Sequence, residues 1–355
     1  MDIIIILFLI VVLWGVRPMG YNPDYIGRES TTAIKGIFAI IIIFNHANQY
    51  LPPLPINKLN ISDINSHRVI YDAVLGFLGQ LMVVMFLVYS GYGIIESYKK
   101  KQSAYLTGFL RKRVLKTLVH FDIAVAVFII LALILGHEYS ANDYLWSWTG
   151  WTSVGNSNWF IFDIIVLYLL TYVGLLTVER FKLDLKAYLW IIFGLSTVFL
   201  IVMFKAKSGL AWWYDTILAF PMGMLWSVYK DKFEQYLSTK RGFTTVLIAV
   251  TLAFVLFYLL GRHYKEIFSF VASPLFGVLV IVLTTRVKIG NPVLNWLGIN
   301  AFSIYILQRI SMILASEAGI NEQPLLFMAI VIPATLLIAA VFTAFTSRID
   351  KKLFS

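Results

Sequence analysis

The sequence predicts an all-α fold, a polytopic membrane bundle of about 10–11 transmembrane helices. Three observations predict it. The 355 residues are 59% apolar and only 14% charged, whereas a soluble domain typically carries about 25% charged residues. The apolar residues fall in blocks near 20 residues long, the length that crosses hydrocarbon as a helix, instead of forming a period-2 or period-3.6 stripe. The basic residues, in turn, crowd into alternate loops.

In chain order, apolar segments at 3–16, 33–50, 73–95, 117–136, 159–178, 188–204, 216–229, 243–260, 267–284, 300–316 and 325–346 each read as a span. The first and seventh are short, about 14 residues, which suits a tilted or partly interfacial helix. The opening stretch "MDIIIILFLIVVLWGV" has neither a basic n-region nor a small-residue cleavage site, so it is expected to be a retained helix and not a secretory signal. No internal repeat and no separate soluble domain is visible. Cysteine is absent from the sequence, which excludes a disulfide framework, a catalytic thiol and any thiolate metal site.

Of the 29 Lys and Arg, 22 fall in one set of loops, including "YKKKQSAYLTGFLRKRVLK", "VERFKLDLK" and "YKDKFEQYLSTKRG", and six in the other. This bias places the first set in the cytoplasm, the N-terminus outside and the C-terminus inside, in a protein integral to the cell membrane. The formal net charge of +10 thus reads as a topology device and not as a nucleic-acid surface. The opposite loops differ in kind. Residues 51–72 are rich in Pro and Asn, residues 137–158 carry three Trp and no Lys or Arg, and "AKSGLAWWYD" adds two more Trp. These aromatics form either an interfacial belt or a rim on which sugar rings stack.

The segment "TAIKGIFAIIIIFNHANQYL" holds Lys35 near its start and His46 near its end, with nothing ionisable between them. Eleven residues of helix are about three turns and about 16 Å, so the two side chains share a face, Lys35 at the cytoplasmic mouth and His46 deep in the membrane. Ionisable side chains in hydrocarbon cost about 2.5–3.5 kcal/mol even on insertion scales. Lys35 either snorkels to the interface or positions a ligand. His46 either bonds a neighbouring carbonyl or acts as a general base. Asp163 and Arg309 are two further intramembrane charges, and pairing between them is expected. Among the other histidines, His120 lies near the cytoplasmic end of its span, and His67, His137 and His263 fall in outer loops.

The basic residue, ten intervening residues and His in "AIKGIFAIIIIFNHANQY" resemble the first-helix motif of the membrane acyltransferase 3 family, of the surface-glycan O-acetyltransferase type. "FLVYSGYGIIESY" at 86–98 resembles the family's Ser-Gly-aromatic segment, "FLRKRVLKTL" at 109–118 its basic segment, and "NWFIFDIIVLYLL" at 158–170 its Trp-Phe helix. "FPMGMLW" at 220–226 and "LNWLGINAFSIYILQRI" at 294–310 resemble its later helices. The likeness covers about residues 30–345. Lys116 stands where the family usually has the second Arg of its basic pair, and Gln308 where many relatives have His. Residues 1–29, an additional helix and cytoplasmic linker, precede the acyltransferase-like domain at 30–355.

The resemblance implies transfer of an acyl group, most readily acetyl from acetyl-CoA, to a hydroxyl of an extracytoplasmic glycan or glycolipid, with no metal. It implies His46 as the base and Lys35 beside the donor. Arg111, Arg113 and Lys116, with Lys112, would meet the donor phosphates. Ser90, Tyr92, Trp159, Asp163 and Arg309 are expected to be substrate-contacting or structural. The competing reading is a transporter or flippase of a lipid-linked glycan, against which the lack of paired Gly- or Pro-broken segments argues.

Overall fold

The computed structural model describes residues 1–52 and 68–354. Most of the expected 51–72 loop, with His67, lies outside the described residues, as does Ser355. The chain is a helical bundle. Its helices are α1 (Asp2–Leu13), α2 (Arg28–Asn48), α3 (Val69–Leu78), α4 (Leu81–Lys101), α5 (Lys116–Leu135), α6 (Ala141–Ser147), α7 (Trp159–Phe181) and α8 (Leu185–Ala206). They continue as α9 (Ala219–Val228), α10 (Lys230–Leu237), α11 (Lys240–His263), α12 (Ser269–Thr284), α13 (Pro292–Ile299), α14 (Ala301–Glu317) and α15 (Pro324–Leu353). A two-residue antiparallel pairing of Arg17–Pro18 with Val287–Lys288 closes one end.

Among the described residues, eight helices are long and apolar enough to cross a membrane, or nine if the bent pair α13 and α14 counts as one span. Two shorter apolar helices, α1 and α9, complete the set. The protein is therefore a multi-pass membrane protein, and each apolar segment of the sequence corresponds to one helix. The 73–95 segment is the exception in detail. It breaks at Gly79, whose φ of +44° ends α3, so α3 and α4 are separate helices.

The bundle is organised around α2, whose apolar window is 72% buried, against 6% for the peripheral α11. α2 packs on α4, α13 and α14. Inside a bilayer, helices associate by close packing, which small residues permit. A Cβ on Gly36 would strike the Leu294 carbonyl oxygen, and one on Gly298 would strike the Thr32 carbonyl. The same device joins α4 to α9, where Gly91 meets the Phe220 carbonyl and Gly223 the Val88 carbonyl. Thus the glycine of the "SGY" segment serves helix contact.

Asn291 fixes the start of α13. Its side chain accepts from the Leu294 amide (2.9 Å) as an N-cap, with Pro292 at the first helical position. Its amide donates to the Val11 (2.8 Å) and Trp14 (2.7 Å) carbonyls, which ties α1 to the bundle. α13 then ends at Asn300, and α14 departs at 79°.

Gly298→Val should force α13 away from α2 and destabilise the protein by about 1–3 kcal/mol, the usual cost of overpacking. Gly194→Ala, with nothing within 4 Å of its would-be Cβ, is the control. Thermal unfolding in detergent checks both, and equal midpoints would contradict the close-packed contact.

Candidate active site

Lys35 lies in the second turn of α2, on the face turned toward α13. It lines a cavity of about 230 Å³ between α2, α4, α7 and the α13–α14 bend, with Phe86, Phe160, Phe302 and Tyr305 among its walls. The cavity is chiefly apolar, and among the described residues Lys35 is the one charged residue in its lining. Gly298 also lines it, so the glycine that allows α13 to approach α2 also shapes this wall.

His46 lies eleven residues along α2 and is buried, 8% exposed. Its Nδ1 has no hydrogen-bond partner among the described residues. Its ring centroid is 6.3 Å from that of Tyr305, and Tyr305 stands edge-on to Phe160 at 5.4 Å. The cavity that begins at Lys35 thus ends under Tyr305, beside His46. The Tyr305 hydroxyl and the Gln308 Oε1 are likewise buried without partners. The Gln308 side chain lies against His46 and the Phe160 backbone against the Tyr305 hydroxyl, so these polar groups cluster around the His46 and Tyr305 rings.

On the Lys35 side a second cavity opens, about 700 Å³. Lys101, Lys112, Arg113, Lys116 and His120 line it, together with Tyr105, Tyr168 and Asp350. It shares Ile299 and Phe302 with the first cavity, so the two adjoin at the α13–α14 bend. The backbone at Leu110–Leu115 is π-helical. Such wide turns recur at functional sites, and here one runs through the basic segment. Arg113 lies over the Tyr168 ring at 6.0 Å, and Tyr168 shares a 2.8 Å hydrogen bond with Ser90. Lys116 and His120 both meet Asp350 near the end of α15, at 2.7 and 2.9 Å.

The structure brings Lys35, Arg113 and Lys116 to this pair of cavities and sets His46 behind Tyr305. Ser90 reaches it through Tyr168. Other expected residues go elsewhere. Arg111 is exposed and donates to the Leu353 carbonyl at the end of α15, because a neighbour on a helix points about 100° away. Tyr92 faces Glu96 and Lys230, away from both cavities. Trp159 packs edge-on against Phe160 at 6.1 Å, and it is Phe160 that reaches the cavity.

The expected Asp163–Arg309 pair is not formed. Asp163 is buried with both carboxylate oxygens unpartnered among the described residues. The carboxylate nearest it in the electrostatics is Asp215. Arg309 donates instead to Gln49, Ser157 and Tyr50, so it stands at the far end of α2. Phe160, Tyr168 and Asp350 line these cavities without being among the candidates that the sequence offers. No sequence signal marked those three, because their importance comes from the bend at Asn300 and from the meeting of α15 with α5. No group of three or more His, Cys, Asp or Glu suited to a metal occurs among the described residues.

A family model described as an acyltransferase domain matches residues 28–344. The chain therefore belongs to the acyltransferase 3 family, and it is a membrane-embedded acyltransferase. A comparison with curated proteins gave no match, and neither did one with solved structures.

Because Arg309 and Asp163 form no ion pair among the described residues, Asp163→Asn and Arg309→Gln should act additively on stability, with an interaction energy below about 0.5 kcal/mol. A double-mutant cycle of thermal unfolding checks this. An interaction well above that value would restore the direct pair.

Proposed function

We propose that the protein transfers an acetyl group from cytoplasmic acetyl-CoA to a hydroxyl of an extracytoplasmic glycan or glycolipid, with His46 as general base. One observation carries this reading. A cationic cavity adjoins an apolar one that passes Lys35 and reaches Tyr305, whose ring lies 6.3 Å from that of the buried His46, in a chain of an acyltransferase family. The larger cavity, about 700 Å³, has the size of a small-molecule site. Its four Lys and Arg side chains suit the phosphates of a CoA donor. The narrower cavity suits the extended thiol arm, with Lys35 where the arm leaves the phosphates.

The thioester carbonyl then sits near Tyr305 and His46. The acceptor hydroxyl enters from the opposite side of the membrane. His46 removes its proton as the oxygen attacks the thioester carbon. The C–S bond breaks as the tetrahedral oxyanion collapses, and the CoA thiolate leaves and takes up a proton. The imidazolium loses its proton before the next turn. In this arrangement the acyl group crosses to the acceptor in one transfer. The basic residues face the cytoplasm, as the positive-inside rule requires. Lys35, eleven residues from the base, positions the donor and takes no proton.

Two outcomes test the reading. Lys112→Glu with Arg113→Glu should weaken acetyl-CoA binding by at least about tenfold, while Arg111→Glu, turned away from the cavity, should leave it near wild type. Titration of purified protein with acetyl-CoA measures both, and equal losses in the two would remove the cavity as the phosphate site. His46→Gln keeps a hydrogen-bonding amide but accepts no proton at neutral pH. It should lower the rate of CoA release by about 10²–10⁴-fold and leave donor affinity unchanged. Near-normal turnover would exclude His46 as the base.

A further inference from the structure

Arg309, on α14, stands one residue after Gln308 and faces the end of α2 that carries His46. Its guanidinium donates from Nη2 to Gln49 Oε1 at 2.7 Å, from Nε to the Ser157 hydroxyl at 3.3 Å and from Nη1 to the Tyr50 hydroxyl at 3.5 Å. The Gln49 amide in turn donates to the His46 carbonyl at 3.1 Å, so the guanidinium is held within one turn of the proposed base.

All three acceptors are neutral. Among the described residues no carboxylate forms an ion pair with Arg309. Arg68, which bonds the Asn48 side chain at the same end of α2, is by contrast neutralised by Asp72 at 3.2 Å. Lys207 lies against the faces of Trp151 and Trp213, 3.7 and 4.2 Å from their ring centroids. Arg309 lies 6.0 Å from the Tyr50 ring centroid, farther than Lys207 from its indoles, and unlike Arg68 it has no carboxylate beside it among the described residues. A guanidinium has five N–H donors, three of which are used here. The two left over lie one on each terminal nitrogen and offer a fork to an incoming oxyanion. A brace between α14, α2 and the loop before α7 requires only a neutral donor, and a charge near hydrocarbon is costly.

We propose that Arg309 is an acceptor-recognition site that takes the carboxylate of an acidic sugar. The proposal rests on the acyl-transfer reading above for its purpose, though not for its chemistry. The carboxylate docks on the two open guanidinium donors, and the Gln49 amide and Tyr50 hydroxyl lie beside them for sugar hydroxyls. The sugar then presents a neighbouring hydroxyl to His46, one turn below. The acceptor is thereby an anionic glycan, and neutral sugars bind poorly.

The test is calorimetric titration of the full-length protein in phosphatidylcholine nanodiscs at low salt, with sodium glucuronate, glucose and inorganic phosphate as separate probes. Glucuronate should bind at least about tenfold more tightly than glucose, the worth of a charge-assisted bidentate contact. Arg309→Gln should reduce glucuronate to the level of glucose while acetyl-CoA affinity stays at wild type. Arg309→Lys, which keeps the charge and loses the fork, should fall between and serves the test if the Gln variant does not fold. Equal glucuronate affinity in wild type and variant, or no preference for glucuronate over glucose, would overturn the proposal. Tighter Arg309-dependent binding of phosphate than of glucuronate would overturn it in favour of a phosphate group. Because no probe requires acyl transfer, Arg309-dependent glucuronate binding in a protein that releases no CoA would sink the acyltransferase mechanism alone.

Discussion

The helix at the centre of this bundle carries Lys35 and His46 within its apolar stretch, and hydrocarbon offers neither of them water. That constraint governs the rest of the architecture. A charge in the membrane interior must face a cavity or a partner, so α2 cannot be wrapped uniformly by neighbours. Gly36 and Gly298 let α13 lie on α2, and beside that contact a cavity opens past Lys35 with Gly298 in its wall. The 79° bend between α13 and α14 makes both possible. α13 seals the Lys35 end of α2, and α14 swings away to bring Tyr305, Gln308 and Arg309 to the His46 end.

The remaining charges are distributed by the same rule. Arg111 satisfies a terminal carbonyl of α15, as cations near helix C-termini commonly do. Lys116 and His120 share Asp350. Lys101, Lys112 and Arg113 face the large cavity with the Tyr105 and Tyr168 rings among them, and an anionic ligand there would find cations not already bound to carboxylates. The Lys116–Asp350 contact means that α15 forms part of that cavity's wall, so the C-terminal helix shapes the cavity although it lies far from His46 in sequence.

Much of this was legible in the sequence. The helical class, the placement of each apolar segment and the prominence of Lys35 and His46 follow from block lengths and from the scarcity of charge between residues 35 and 46. Register on a single helix is short-range information, and 3.6 residues per turn is enough to read it. The errors arose where geometry depends on packing between helices or on a local change of helix type. Arg111 and Arg113 are two residues apart in a basic run, and one meets the end of α15 at the surface while the other lines the cavity. Opposite charge suggested that Asp163 and Arg309 pair, but the bend at Asn300 carries Arg309 to Gln49 and Tyr50. Nothing in "SIYILQRI" tells that the Tyr305 ring lines a cavity on one hand and meets His46 on the other.

The central claim is that a CoA donor reaches His46 through the paired cavities. Photolabelling with an acetyl-CoA analogue that carries a diazirine in its acyl group tests it most directly, with the labelled residues mapped by mass spectrometry. The account predicts labels on Phe160 and Tyr305, competed away by excess acetyl-CoA. Labels confined to residues around Lys101 and Lys112, or scattered over lipid-facing positions such as Leu252 and Leu337, would contradict it.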